Sequence, residues 1–188
     1  MKWRYIINVI SILLIVLGLA MLVPTWCSLI YSDGSIISFL YSISITIFVG
    51  SVLFLISRKG TDIDYINPKE AMAIVALGWT VISIFGALPF YFDGVVCFSD
   101  AFFESVSGFT TTGSSILTNI EALSKSLLFW RSFTQWLGGM GIIVLSLAIL
   151  PFLGVGGMQL YKAEVPSPVP DKLTPRLPDS AKILWYVY

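Results

Sequence analysis

The sequence predicts an all-α integral membrane protein: two leading transmembrane helices, then one helix–re-entrant pore loop–helix repeat. Three observations carry that prediction. Hydrophobic side chains make up 56% of the 188 residues and charged ones 12%, about half the charge of an ordinary soluble domain. Four apolar runs, at 6–30, 36–56, 71–92 and 127–153, each reach the roughly 20 residues with which a helix crosses about 30 Å of hydrocarbon. Between the last two lies a further apolar segment, too short to cross and too apolar for a loop in water. Formal net charge is zero, so no basic field points to nucleic acid. The expected partners are the lipid bilayer and other membrane helices.

The first run follows Lys2 and Arg4 and imitates a secretory leader. Its apolar stretch is longer than the roughly 7–15 residues of a leader's core. No small-residue cleavage site follows it, since Pro24-Thr25-Trp26-Cys27 is a poor one. It is read as a retained span. A short turn, residues 31–35 with Asp33 and no base, leads into the second run. Arg58, Lys59 and Lys69 come after that run, and Lys162, Lys172, Arg176 and Lys182 come after the fourth. The connection 93–126 carries Asp93, Asp100, Glu104 and Glu121 against the single base Lys125. The positive-inside rule then places the N-terminus, 58–69 and the C-terminal stretch in the cytoplasm. The turn at Asp33 and the segment 93–126 face outward.

In the fourth run Gly138-Gly139-Met140-Gly141 marks a place for a bend or for close packing. Pro166, Pro168, Pro170, Pro175 and Pro178 mark an extended cytoplasmic connection. Residues 181–188 turn apolar again, as at the start of another helix, and the chain is expected to be a fragment. The organisation read from this is two leading helices over 1–60, one repeat over 61–160, and the connection with the start of the next repeat over 161–188.

The outward segment carries the chemistry. Residues 99–109 suit a half-helix capped by Ser99 or Asp100, with its acids near the positive end of the dipole. Its partly negative C-terminal end, near Gly108, would point into the membrane. Directly after it stands Thr110-Thr111-Thr112-Gly113-Ser114-Ser115. An extended strand of such small residues can turn consecutive carbonyls to an axis, and Gly113 admits backbone angles that other residues resist. Carbonyl rings that replace a cation's water are how potassium filters work. By itself the run also suits an ordinary outer loop. The order spanning helix, half-helix, Thr-Thr-Gly, spanning helix favours the filter.

These residues also resemble a known family. Residues 107–113, Ser-Gly-Phe-Thr-Thr-Thr-Gly, followed by 129–142 around Trp136, look like the first pore repeat of the Trk/Ktr/HKT potassium-transporter superfamily. Residues 153–164 and 171–176 resemble its Trk type in particular. That resemblance implies a potassium-channel-like fold of four helix–pore loop–helix repeats around one path, preceded by two extra helices. It implies potassium as the transported ion, held by the carbonyls of Thr111 and Thr112, with Thr110, Gly113 and Ser114 supporting them. It also implies a cytosolic nucleotide-binding regulatory subunit, a homodimer as a possible assembly, and three further pore repeats that this chain lacks. The alternative is a non-conducting truncated fragment or a membrane assembly subunit.

Other residues admit two readings. Arg131, near the outer end of the fourth run, either snorkels to water or pairs with Glu104 and holds the half-helix. Glu104 either attracts cations or acts structurally near the half-helix start. Cys27 and Cys97 face one side and either pair or, the reading preferred, stay free thiols. The six tryptophans, mostly at span ends, read as interfacial anchors. Asp62 and Asp64 read as a solvated loop, and 154–157 as a flexible break that moves in gating and not as a phosphate loop. Histidine is absent, which removes the Ser-His-Asp and Cys-His arrangements. With few intramembrane acids as well, no enzyme and no organic cofactor are expected.

Overall fold

The computed structural model describes residues 3–57 and 68–149, all helix, turn and irregular chain. Residues to Gly138 belong to one compact unit; a second begins at Gly139, and its described part continues a helix to Ile149. The expected divisions at 60/61 and 160/161 lie outside the described residues. So do Asp62, Asp64, the Gly154 break, the proline-rich connection and the apolar run 181–188.

The first run folds as α1 (Trp3–Ala20) and α2 (Leu22–Tyr31). The break falls where Pro24 dictates: it has no amide to give the carbonyl four residues back, at Ala20, and its ring crowds that carbonyl. The bonds from Met21 N to Leu17 O (3.0 Å) and Thr25 N to Met21 O (3.3 Å) carry the chain across the break. α3 (Ile36–Ser57) returns along α1. Its Ser42 and Thr46 hydroxyls bond back to the carbonyls of Ser38 and Ser42, at 2.7 and 2.6 Å. Polar side chains are thereby satisfied inside an apolar helix.

α4 (Pro68–Gly86) and α5 (Leu88–Phe92) follow, broken near Pro89. Then come α6 (Phe98–Phe109), a 3-10 turn (Ile120–Ala122) and α7 (Lys125–Ile149). Among the described residues, Trp3–Tyr31, Ile36–Ser57 and Met72–Phe92 are long and apolar enough to cross a membrane. The fourth expected span coincides with α7 as far as Ile149; its remainder lies outside the described residues. Large apolar side chains such as Phe48, Leu55 and Ile56 stand exposed on α3, as a lipid-facing surface requires.

The core gathers Phe39 of α3, Phe90 of α5, Phe109 of α6 and Leu127 and Trp130 of α7. Trp130 corrects the reading of the tryptophans as interfacial anchors, for it is fully buried. Its indole N–H donates to Gly86 O at 3.0 Å. That carbonyl lies in the last turn of α4, where intrahelical donors run out, so the polar edge of Trp130 needs no water. Phe39 and Phe109 meet the same ring edge-on, with centroids 6.5 and 6.4 Å away. Trp3 and Trp26 are exposed, as an anchor would be.

The turn between α2 and α3 does more than reverse the chain. Ser32 and Gly34 take positive φ, 48° and 82°, and the Asp33 carboxylate becomes a hub. One oxygen accepts the Ser28 hydroxyl and, at 3.2 Å, the Ser35 amide; the other accepts the Ser126 amide at 2.9 Å. Ser126 is in the first turn of α7, so a residue 93 positions earlier caps that helix. Burial pushes the Asp33 carboxyl up, but the Ser28, Ser126 and Ser35 donors outweigh it and hold the group below its usual value. A depressed carboxyl stabilises the fold above the ordinary carboxylate range, and that contribution disappears as pH falls through the lowered value. Melting of the detergent-solubilised protein is therefore expected to fall between about pH 5 and about pH 3 more in the wild type than in Asp33→Asn. Equal losses in the two would contradict it.

Candidate functional site

The expected half-helix is α6, twelve residues from Phe98 to Phe109. Its cap differs from the expectation. Cys97, and neither Ser99 nor Asp100, holds the N-cap position, with no side-chain bond. The Ala101 amide reaches the Cys97 carbonyl at 2.9 Å, so the first helical turn closes earlier than a Ser99 cap allows. Asp100 stays in the first turn, where the dipole favours an acid. Cys97 is exposed and Cys27 partly buried, and both are free thiols.

Glu104 is also not near the helix start. It sits in the middle of α6, 2% exposed. One carboxylate oxygen accepts the Ser115 hydroxyl at 2.6 Å and the Ile116 amide at 2.7 Å. The other accepts Arg131 Nε at 3.1 Å. Of the two readings of Arg131, the pair is the one the structure shows. α6, α7 and the irregular chain after Gly113 are thus fastened at one carboxylate. Ser107 adds a tie, its hydroxyl donating to Ser114 O at 2.5 Å.

Residues 110–113 are not the extended strand expected. Thr111 has φ +57° and Gly113 φ +77°, so the chain leaves α6 by a left-handed turn and continues as irregular chain. The cause is the hydrogen bonding at the end of α6. The amides of Thr110, Thr111, Thr112 and Gly113 all donate backward, to the carbonyls of Val106, Gly108, Ser107 and Ser107, at 2.9, 2.9, 3.0 and 3.4 Å. Those are the carbonyls a helix leaves over at its C-terminus. Gly113 takes its angle at no steric cost, whereas β-branched Thr111 pays for it.

A trans peptide sets each carbonyl opposite the next residue's amide. With four successive amides turned inward, the carbonyls of Phe109, Thr110, Thr111 and Thr112 turn away from α6. Phe109's faces Gly138 on α7. Thr110's accepts the Thr111 hydroxyl at 2.7 Å. Among the described residues no donor reaches those of Thr111 and Thr112. Thr110, Thr111, Thr112, Gly113 and Ser114 are all exposed. What results is a backed turn whose outward carbonyls are oxygen acceptors of the kind a cation takes.

The roles of Asp33 and Trp130 were not read from the sequence. Asp33 stood out only as the one acid of a turn, and its partner lies too far along the chain for spacing to reveal. For Trp130 a signal existed: its predicted depth, a few residues inside the fourth run, differs from that of a terminal anchor.

Fold and site together define a helical membrane protein with an ordered backbone turn carrying unpaired carbonyls. Residues 35–188 match the family model described as TrkH, cation transport protein, and the chain belongs to that family. It is 43% identical over 191 aligned residues to the Trk system potassium uptake protein TrkH of Vibrio parahaemolyticus serotype O3:K6, covering 100% of this chain and 39% of that one. Against TrkH of Escherichia coli K12 the identity is 44%, with the same coverage. TrkG of that strain is 34% identical over 98% of this chain and 38% of its own. The crystal structure of the potassium transporter TrkH from Vibrio parahaemolyticus superposes with a TM-score of 0.82 at 37% identity, covering 100% of this chain and 37% of that chain. This chain therefore spans about two fifths of the length of the curated relatives it matches.

Proposed function

We propose that the chain is the N-terminal part of a potassium-translocating subunit and builds the first of four walls around one ion path. In this reading α4 with α5 is the outer helix of the first repeat, α6 with residues 110–116 is a re-entrant pore loop, and α7 is the inner helix. The carbonyls of Thr111 and Thr112 replace part of the water around potassium. Thr110, Gly113 and Ser114 hold them in line, and the C-terminal end of α6 adds negative potential. The observation that carries the reading is the set of four amides turned back onto α6, which frees those two carbonyls. Potassium is the ion that the printed names of the relatives give.

The remaining three walls come from further repeats, and a cytosolic nucleotide-binding subunit regulates flow. The protein lies in the cell inner membrane with its N-terminus in the cytoplasm, alone or as a homodimer, and moves potassium passively or coupled to another ion. A second reading has one observation in its favour: with 39% of its relatives' length, this chain by itself is a non-conducting fragment or an assembly subunit.

Rubidium uptake in cells without potassium transporters tests both. Three forms are compared: this chain, the chain extended to its relatives' length, and the extended form with Gly113→Asp. Only the extended form is expected to carry rubidium. The substitution, which strains a left-handed residue and puts a carboxylate beside the carbonyls, is expected to cut uptake by about tenfold or more. Uptake unchanged by Gly113→Asp would overturn the filter assignment. Uptake by the short chain would mean that several copies assemble a pore.

A further inference from the structure

The segment that carries the filter runs from the end of α5 to the start of α7, and both its ends are fastened to the leading helices. At one end the Ser38 hydroxyl, in the first turn of α3, donates to Asp93 Oδ1 at 3.2 Å. At the other the Asp33 carboxylate takes the Ser126 amide at 2.9 Å, and the Ser35 hydroxyl donates to Ser124 Oγ at 2.9 Å. All three anchors lie within the stretch 33–38, the α2–α3 turn and the opening of α3. Apolar contacts repeat the pattern, with Tyr41 against Phe92 and Phe39 against Trp130, at 6.0 and 6.5 Å between ring centroids.

The anchor at Asp33 has a direct route to the carbonyl row. From Ser126 to Arg131 is five residues of one helix, about 8 Å along its axis. Arg131 holds Glu104, and Glu104 holds Ser115 and Ile116 just beyond Gly113. A rigid helix transmits a displacement of its first turn to its second, and such a site works only if its geometry is held within about half an ångström. A shift at Ser126 therefore moves the Glu104 clamp.

We infer that Asp33 is a positioning residue for the filter, and that the leading helix pair is the frame that sets the filter's geometry as well as a membrane anchor. This deepens, and rests on, the reading of residues 110–114 as a filter. Asp33→Asn is the sharpest probe because it is isosteric. Its amide oxygen can still accept from Ser28 and Ser35, but its NH2 group meets the Ser126 amide donor to donor.

The experiment uses the full-length protein in proteoliposomes, with rubidium uptake measured against rubidium and competing sodium, and rates normalised to folded protein. Asp33→Asn is expected to raise the KM for rubidium and to lower discrimination against sodium by about tenfold, with the maximal rate largely kept. Ser38→Ala, which releases the other end, should move both in the same direction by less. Loss of maximal rate with unchanged KM and unchanged discrimination would overturn the inference, since that is what a merely structural role produces. Unchanged transport in Asp33→Asn, alongside abolished uptake in Gly113→Asp, would overturn it while leaving the filter reading intact. Unchanged uptake in Gly113→Asp would remove the filter reading itself.

Discussion

Glu104→Ala is expected to abolish uptake by the full-length protein and to lower its melting temperature in detergent sharply. Three donors converge on this carboxylate: the Ser115 hydroxyl, the Ile116 amide and Arg131 Nε. Removing it leaves the arginine, with a side chain 17% exposed, without its counter-charge. Breaking a buried pair from one side costs about 3 kcal/mol or more, because the remaining group stays desolvated. Some of that is relieved here by the water Arg131 can reach. The functional loss is the larger effect, for among the described residues no other hydrogen bond or ion pair ties residues 115 and 116 to both helices. Glu104→Gln separates the two contributions. Its carbonyl can still accept from Ser115 and Ile116, so much of the stability should return, while the ionic contact with Arg131 is lost. Wild-type stability in Glu104→Ala would contradict the role of the carboxylate as the junction of α6 and α7.

Gly138→Ala should be nearly as severe. A Cβ there would overlap the carbonyl oxygen of Phe109 and stand 2.7 Å from that residue's carbonyl carbon and 2.9 Å from its Cα. These are backbone atoms at the exit of α6, so no side chain can swing aside. Overpacking in a tight core costs about 1–3 kcal/mol. The displacement it forces also acts at the first residue of the turn that leads to Thr111. Reduced melting temperature and reduced uptake per folded molecule are both expected. Gly94→Ala is the contrasting case: beyond its immediate chain neighbours no atom lies within 4 Å of a Cβ there, and only the φ of +75° opposes the change.

What sequence reasoning recovered follows from which signals are local. Span lengths depend on runs of apolar residues and were legible; the breaks near Pro24 and Pro89, which divide two of those runs into α1–α2 and α4–α5, were not read from the sequence. α6 was legible from its length and its flanks, and the close packing at Gly138 from a cluster of glycines in an otherwise bulky run. Gly113 at positive φ was legible too. Thr111 was not, because a β-branched residue in the left-handed region runs against local preference. It is held there by the amides of 110–113 returning to α6. The start of α6 was misread for a related reason. Ser99 and Asp100 are both good caps, but the helix starts at the Cys97 carbonyl, which takes the Ala101 amide, and no side chain of the cap residue marks that in the sequence. The partners of Asp33 and Trp130, Ser126 and Gly86, lay beyond reach because they come from distant parts of the chain, although the depth of Trp130 in its run hinted at burial.

The frame formed by the α2–α3 turn also has an order in time. Ser28, Asp33, Ser35 and Ser38 all precede the segment they hold, and a chain is made and folded from its N-terminal side. When residues 93–126 leave the ribosome, the groups that receive both ends of the segment are already in a formed helical hairpin. The carbonyl turn is then shaped against a standing template and does not have to wait for later parts of the chain. Unfolding of the hairpin as a whole, unlike the loss of one anchor such as Asp33, would accordingly surface as failed assembly during synthesis, well before any ion is presented to the finished protein.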